Sequence, residues 1–174
     1  MKALFVLDTE NSVSVSGNVY QLLNINGDTG GIAPGLTVTL DNEYTTTTDS
    51  NGNFVFSNVA SGAYILTISG NSVLERSIVI ATTFDNNIVG NIAIACFDYV
   101  KDGVINNQDT SAWGQWISTS QGPVSNIFAD INGDGYVNAR DYAYLIRFRN
   151  KTKSEIYSFD EWGKVWKIKT GYTR

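Results

Sequence analysis

Asp130-Ile131-Asn132-Gly133-Asp134-Gly135-Tyr136-Val137-Asn138-Ala139-Arg140-Asp141 is the stretch on which the fold of this chain turns. Oxygen-bearing side chains stand at positions 1, 3, 5, 9 and 12, with glycine at position 6. Alternate residues of a curled loop point inward, and a calcium ion takes roughly six to eight oxygens, so this spacing gathers donors around one centre. The carbonyl of Tyr136 at position 7 fills one vertex and Gly135 permits the sharp reversal. Val137 at position 8 is placed to tether the loop to a core. The pattern departs from the usual calcium loop at position 12, where Asp141 replaces glutamate.

A second copy lies 32 residues earlier: Asp98-Tyr99-Val100-Lys101-Asp102-Gly103-Val104-Ile105-Asn106-Asn107-Gln108-Asp109. It keeps Asp at positions 1, 5 and 12, Gly at 6, Ile at 8 and Asn at 9, but Val100 at position 3 supplies no oxygen. A water or carbonyl is expected to replace the missing donor, which makes this the weaker site by ligand count. An isolated acidic glycine loop reads as an ordinary Asx-rich turn; two in the same register do not.

Each loop runs into an amphipathic segment. Ala112, Trp113, Trp116 and Ile117 in the first, and Leu145, Ile146 and Phe148 in the second, recur at helical spacing, so Asp109 and Asp141 fall in the first turn of a helix. No helix-length sequence precedes either loop: residues 92–96 read as strand, and Gly122-Pro123 breaks the chain before the second. The unit is loop-helix, repeated.

Upstream of Cys96 the texture changes to alternating Val, Ile, Thr and Tyr cut by Gly and Asn. Segments 13–20, 36–40, 44–48, 54–56, 63–68, 76–80 and 87–95 read as seven strands, the complement of a β-sandwich. Asp49-Ser50-Asn51-Gly52 is the sharpest turn signal, and it predicts that segments 44–48 and 53–56 pair antiparallel as a hairpin. The motifs Val15-x-Gly17-x-Val19, Gly35-Leu36-x-Val38, Asp49-x-Asn51-Gly52-x-Phe54 and Gly62-x-Tyr64-x-Leu66 resemble the carboxypeptidase-regulatory-like or CnaB-like sandwich domains over residues 13–95. Some pilin-type relatives of that fold carry a Lys-Asn isopeptide bond. No lysine lies between residues 3 and 100, so packing is expected to supply the stability unless Lys2 reaches in.

The 174 residues suit two small domains. Histidine is absent, which removes imidazole acid-base catalysis, Ser-His-Asp and Cys-His arrangements and His-rich zinc sites, so the chain is expected not to be an enzyme and to have no small-molecule substrate. Cys96, the one cysteine, sits among Ile94, Ala95 and Phe97 and reads as a small core residue. The formal charge is -5 with no basic block, which argues against nucleic acid. Residues 1–96 hold only Lys2 and Arg76 as cations, whereas most of the positive charge lies beyond. No apolar run approaches membrane-spanning length. Residues 3–7 are too short for a secretory core, so any export signal is expected outside this sequence.

A tandem of two half EF-hands ending in Asp resembles the dockerin module of cellulosomes, over residues 96–152. Preceded by a sandwich, it is similar to the X module plus dockerin pair of type II arrangements in scaffoldins. The resemblance implies two Ca2+ ions, held by Asp98, Asp102, Val104, Asn106 and Asp109 and by Asp130, Asn132, Asp134, Tyr136, Asn138 and Asp141. It implies a fold of an all-β seven-stranded sandwich (1–95) followed by a small all-α dockerin (96–152), with residues 153–174 as an aromatic and basic extension. Tyr157, Phe159, Trp162, Trp166 and Tyr172 suggest that this extension packs on one of the two. The implied function is noncatalytic docking to a cohesin of another scaffoldin or a cell-surface anchor, in an extracellular complex.

By repeat position the cohesin-facing residues would be Asn107, Gln108, Gln115 and Trp116 in one repeat and Ala139, Arg140, Arg147 and Phe148 in the other. The two sets are chemically unlike, which predicts one preferred binding orientation. Trp116 and Phe148 serve a core equally well by spacing. The alternative of a carbohydrate-binding module rests on four tryptophans, none of them within residues 1–96. A calcium-sensing switch lacks entering helices and a Met-rich groove. Helices this short need help to form, so calcium is expected to supply folding free energy to the second half.

Overall fold

Alternation along Ser12–Leu22 builds β1, whose odd-numbered residues from Val13 to Val19 are buried in succession. A computed structural model of the chain describes residues 12–83, 87–117, 124, 126–158 and the backbone of 169–170. The remaining strands are β2 (Thr29–Ile32), β3 (Thr37–Leu40), β4 (Tyr44–Thr47), β5 (Asn53–Ala60), β6 (Gly62–Ser69), β7 (Arg76–Thr82), β8 (Asn87–Ile94) and β9 (Lys169–Thr170). Helices α1 (Asn107–Trp113), α2 (Ala139–Phe148) and the single-turn α3 (Lys153–Ile156) follow β8. Among the described residues no helix is long and apolar enough to cross a membrane.

Two sheets face each other. In the first, β1 is bordered on one edge by β5 along its first half and β2 along its end, and on the other by β8, parallel to it, then β9. The second runs β4-β3-β6-β7, all antiparallel. Val15, Val19, Leu40, Phe54, Leu66 and Ile80 fill the space between them.

All seven strand segments read from the sequence are present, joined by an eighth, β2, and by the short β9, so the seven-stranded count is too low. The Thr-Gly-Gly-Ile sequence of β2 has no apolar alternation to signal a strand; its pairing with the end of β1 makes it one.

The predicted hairpin is a correction. β4 pairs with β3 and β5 pairs with β1, so Asp49-Ser50-Asn51-Gly52 carries the chain from one sheet to the other. The turn itself is tight. Asp49 Oδ1 accepts from the amides of Asn51 and Asn53, both at 2.8 Å, which holds the carboxyl below its ordinary range. Gly52 sits at φ +78°, and a Cβ there would meet the Val19 carbonyl oxygen at 2.5 Å. The buried Thr48 hydroxyl donates to the Ala33 carbonyl at 2.8 Å and accepts from the Leu36 amide at 2.9 Å, tying the corner to the connection between β2 and β3. A local turn signal specifies the reversal but not which strand the departing chain pairs with.

The continuous apolar run 92–97 follows from burial on two sides. Ile92, Ile94 and Cys96 face the sandwich core, whereas Ala93, Ala95 and Phe97 face a second core with Ile105, Trp113, Leu145 and Phe148. One stretch of chain is thus the wall shared by both cores. Cys96 is a free thiol with no exposure, and burial pushes its pKa well up.

Tyr157 closes the seam from the far end. Its hydroxyl donates to the Leu74 carbonyl at 2.6 Å and accepts from the Ala95 amide at 3.1 Å. The guanidinium of buried Arg76, donating to the Ala93 carbonyl, lies 5.1 Å from the Tyr157 ring centroid. Lys2, Phe159, Trp162, Trp166, Tyr172 and the Gly122-Pro123 breaker lie outside the described residues.

Candidate metal centres and docking face

The two acidic loops repeat one hydrogen-bond pattern. At position 1, Asp98 Oδ1 and Oδ2 accept from the amides of Asp102 (3.1 Å) and Gly103 (3.0 Å); Asp130 does the same with Asp134 (3.1 Å) and Gly135 (2.8 Å). At position 5, Asp102 and Asp134 accept from the amides of Val104 and Tyr136, each at 3.0 Å. Position 12 reaches across the loop. Asp109 takes the amides of Val100 (3.1 Å) and Asn106 (2.8 Å), and Asp141 takes those of Ile131 (2.9 Å), Asn132 (3.4 Å) and Asn138 (2.9 Å).

These last contacts are also helix caps. Asn106 and Asn138 occupy the N-caps of α1 and α2, and Asp109 and Asp141 stand at the third helical position, completing a capping box in each repeat. Loop closure and helix initiation are therefore one structure. The Asn106 and Asn138 Oδ1 atoms accept from the amides of Gln108 and Arg140 (2.7 and 2.9 Å), and position 9 of a calcium loop often reaches its ion through water.

Asp109 and Asp141 have no exposure, and Asp98 and Asp130 have 4% each. Among the described residues none of these four is ion-paired with lysine or arginine; the ion pairs are the exposed Arg140–Asp134 and Lys153–Glu75. Burial raises the Asp98 carboxyl above its ordinary range against the pull of the Gly103 and Asp102 amides. Burial likewise raises Asp141 against the amides of Asn138, Asn132 and Ile131. Buried carboxylates without countercharge call for a cation.

The donor set fits calcium. Among the described residues no three acidic, Cys or His groups close into a compact cluster, but a calcium loop also draws on amide and carbonyl oxygens, which such a cluster omits. Each loop offers three aspartates and a position-7 carbonyl, from Val104 or Tyr136, and the second adds Asn132 Oδ1. Val100 is exposed and contributes only its amide. Ile105 and Val137 at position 8 are buried in the second core.

The two helices meet through each other's loops. The Asn150 amide donates to the Ile105 carbonyl at 2.8 Å, and the Trp113 indole donates to the Ala129 carbonyl at 3.2 Å. Asn107 and Gln108 on α1, Gln115 on the 3-10 turn that follows it, and Ala139, Arg140 and Arg147 on α2 are exposed.

The equivalent residues Trp116 and Phe148 part company. Trp116 is half-buried beside Tyr99 (4.9 Å between centroids), whereas Phe148 is fully buried on Phe97 at 4.7 Å. Phe148 is therefore a core residue, a correction to its place on the docking face. Sequence spacing missed a groove of about 450 Å3 between α1 and α2, walled by Trp113, Ile117, Ala139 and Tyr142. Ile117 and Tyr142 are exposed beside it, as is Ile146 on α2. The only signal was an apolar residue off the buried stripe.

Geometry of this kind defines a class: a paired acidic loop-helix unit carried on a β-sandwich. Residues 86–150 match the family model described as Dockerin type I domain, a family that binds calcium in general. The match begins at the foot of β8. Among solved structures, the chain is similar to one from an Acetivibrio cellulolyticus type II cohesin–X-dockerin complex with an N-terminal interface mutation. The identity is 24%, with 82% of this chain and 99% of that chain covered and a TM-score of 0.63. A C-terminal interface mutant of that complex aligns at 22% identity with the same coverage and TM-score. These likenesses establish the fold. A comparison with curated proteins finds no match.

Proposed function

We propose that the chain is an X module plus dockerin pair of the type II kind, a noncatalytic module that docks a cellulosome component onto a cohesin in a calcium-dependent way. The carrying observation is the set of four buried carboxylates without lysine or arginine partners among the described residues, in two loops that share their core hydrogen bonds and each start a helix. The division is residues 1–95 for the sandwich, 96–152 for the dockerin and 153–174 for the extension. Two calcium ions would be held by Asp98, Asp102, Val104 and Asp109 and by Asp130, Asn132, Asp134, Tyr136 and Asp141, with Asn106 and Asn138 acting through water.

Charge neutralisation lets the short α1 and α2 form and fixes their spacing. The face they present comprises Asn107, Gln108, Gln115, Trp116, Ala139, Arg140 and Arg147 around the Ile117–Tyr142 groove. Its two halves differ in chemistry, so one binding orientation is preferred. A partner cohesin places the complex outside the cell, at a bacterial surface.

Pull-down of the full chain by type II cohesin in calcium and in EDTA tests the reading. Retention only with calcium supports it; retention unaffected by EDTA, or helical circular dichroism unaffected by EDTA, would overturn it. The carbohydrate-binding alternative has lost ground, since Trp113 is buried and its indole N–H is used internally.

A further inference from the structure

The strand without a sequence signature touches the second loop, backbone to backbone. The Gly31 amide donates to the Ile131 carbonyl at 3.0 Å. A Cβ on Gly30 would meet that same oxygen at 2.3 Å, and one on Gly31 would lie 3.3 Å from Gly133 Cα and 3.4 Å from the Asp130 carbonyl oxygen. Gln21, on the neighbouring β1 and without exposure, donates from Nε2 to the carbonyls of Ile127 (2.9 Å) and Asp130 (3.2 Å). Two glycines and a buried amide thus hold positions 1, 2 and 4 of the loop.

The first loop supplies an internal control. Position 4 is left-handed in both, Lys101 at φ +60° and Gly133 at φ +72°. A side chain is therefore tolerated at that backbone angle in the first loop. In the second, a Cβ at position 4 would meet Gly31 Cα at 2.9 Å, whereas Lys101 reaches outward to Asn71 Oδ1 at 2.8 Å. Glycine at 133 answers to the sandwich as well as to the turn.

We propose that Gln21, Gly30 and Gly31 are positioning residues for the second calcium loop, so that ion binding by residues 130–141 and the seating of β2 are one linked equilibrium that the first loop does not share. The inference rests on the calcium reading above and adds which part of the sandwich the ion acts through. Linkage is reciprocal: whatever the strand contributes to ion affinity, the ion returns to the strand.

Calcium titration of the full chain tests it, using Asp102→Ala to leave the second loop and Asp134→Ala to leave the first. Gly30→Ala is expected to weaken the second loop by about tenfold or more, the size of effect seen when supports behind metal ligands are removed. It should leave the first loop within about twofold, as for independent sites. Equal weakening at both loops, or none at the second, overturns the proposal.

Should Gly30→Ala fail to fold, Gln21→Leu replaces it and hydrogen exchange on otherwise unsubstituted chain decides. Calcium is expected to slow exchange at the Gly31 amide in the unsubstituted chain and not in Asp134→Ala. Exchange there that ignores calcium, or slows equally in Asp134→Ala, overturns the linkage. No calcium uptake by the unsubstituted chain would overturn the calcium reading and this inference together, whereas uptake without the strand effect overturns the inference alone.

Discussion

Loops 98–109 and 130–141 share their hydrogen-bond pattern yet differ in what they offer a cation and in what holds them. The first lacks an oxygen at position 3, strains Lys101 into a left-handed conformation and meets the sandwich through the Lys101–Asn71 contact and a bridge between Ser72 and Asp98. The second has Asn132 and Gly133 and lies flush on β2. The same local chemistry has thus been set in two supports. On the proposed calcium reading, the second loop offers an ion more side-chain oxygens than the first.

Chelation should erase the comparison altogether. Removing calcium is expected to abolish cohesin retention and the helical signal of α1 and α2, read by circular dichroism, because neither helix is long enough to stand alone. The repeat-equivalent aromatics come next. Phe148→Ala should destabilise the chain by about 3–5 kcal/mol in denaturant unfolding, as for a fully buried ring. Trp116→Ala should cost about 1 kcal/mol, near the average substitution, and weaken cohesin binding instead. Equal costs would mean that the repeats are more alike than their burial indicates.

Val100→Asp supplies the absent position-3 oxygen and should tighten the first loop by about tenfold in calcium titration, narrowing the gap to the second. Lys101→Gly should raise stability by about 1 kcal/mol by relieving the left-handed backbone. The smallest effect is in pH. Burial places Asp98 and Asp141 above the ordinary aspartate value of 3.8, so in metal-free chain each binds its proton more tightly folded than unfolded. Their contribution is complete below 3.8 and is lost as pH rises through the folded values. With calcium the slope reverses, because acid displaces the ion. Thermal melts across pH 3 to 7, with and without calcium, should show the two opposite trends.

Much of the site was legible because its chemistry is local. Asp, Asn and Gly at fixed offsets within twelve residues set the loop, the cap and the first helical turn together, and both repeats display it. The strand segments were legible from alternation. Their partners were not: Asn51-Gly52 looked like a hairpin and is a corner between sheets. β2 escaped because Gly30 and Gly31 carry no side chains to alternate, though they support the second loop. Phe148 was ambiguous since the nineteenth residue of each repeat is compatible with either face.

Composition and spacing alone established a β-rich first half, two acidic loop-helix repeats, and the absence of histidine chemistry and of an internal disulfide. Tertiary structure decided which sheet each strand joins, that residues 92–97 wall two cores at once, and that the second loop rests on β2 by its backbone. The reason is range. Donor spacing and capping act over a few residues and are written in the order of the chain, whereas strand pairing and burial depend on residues tens to a hundred positions apart.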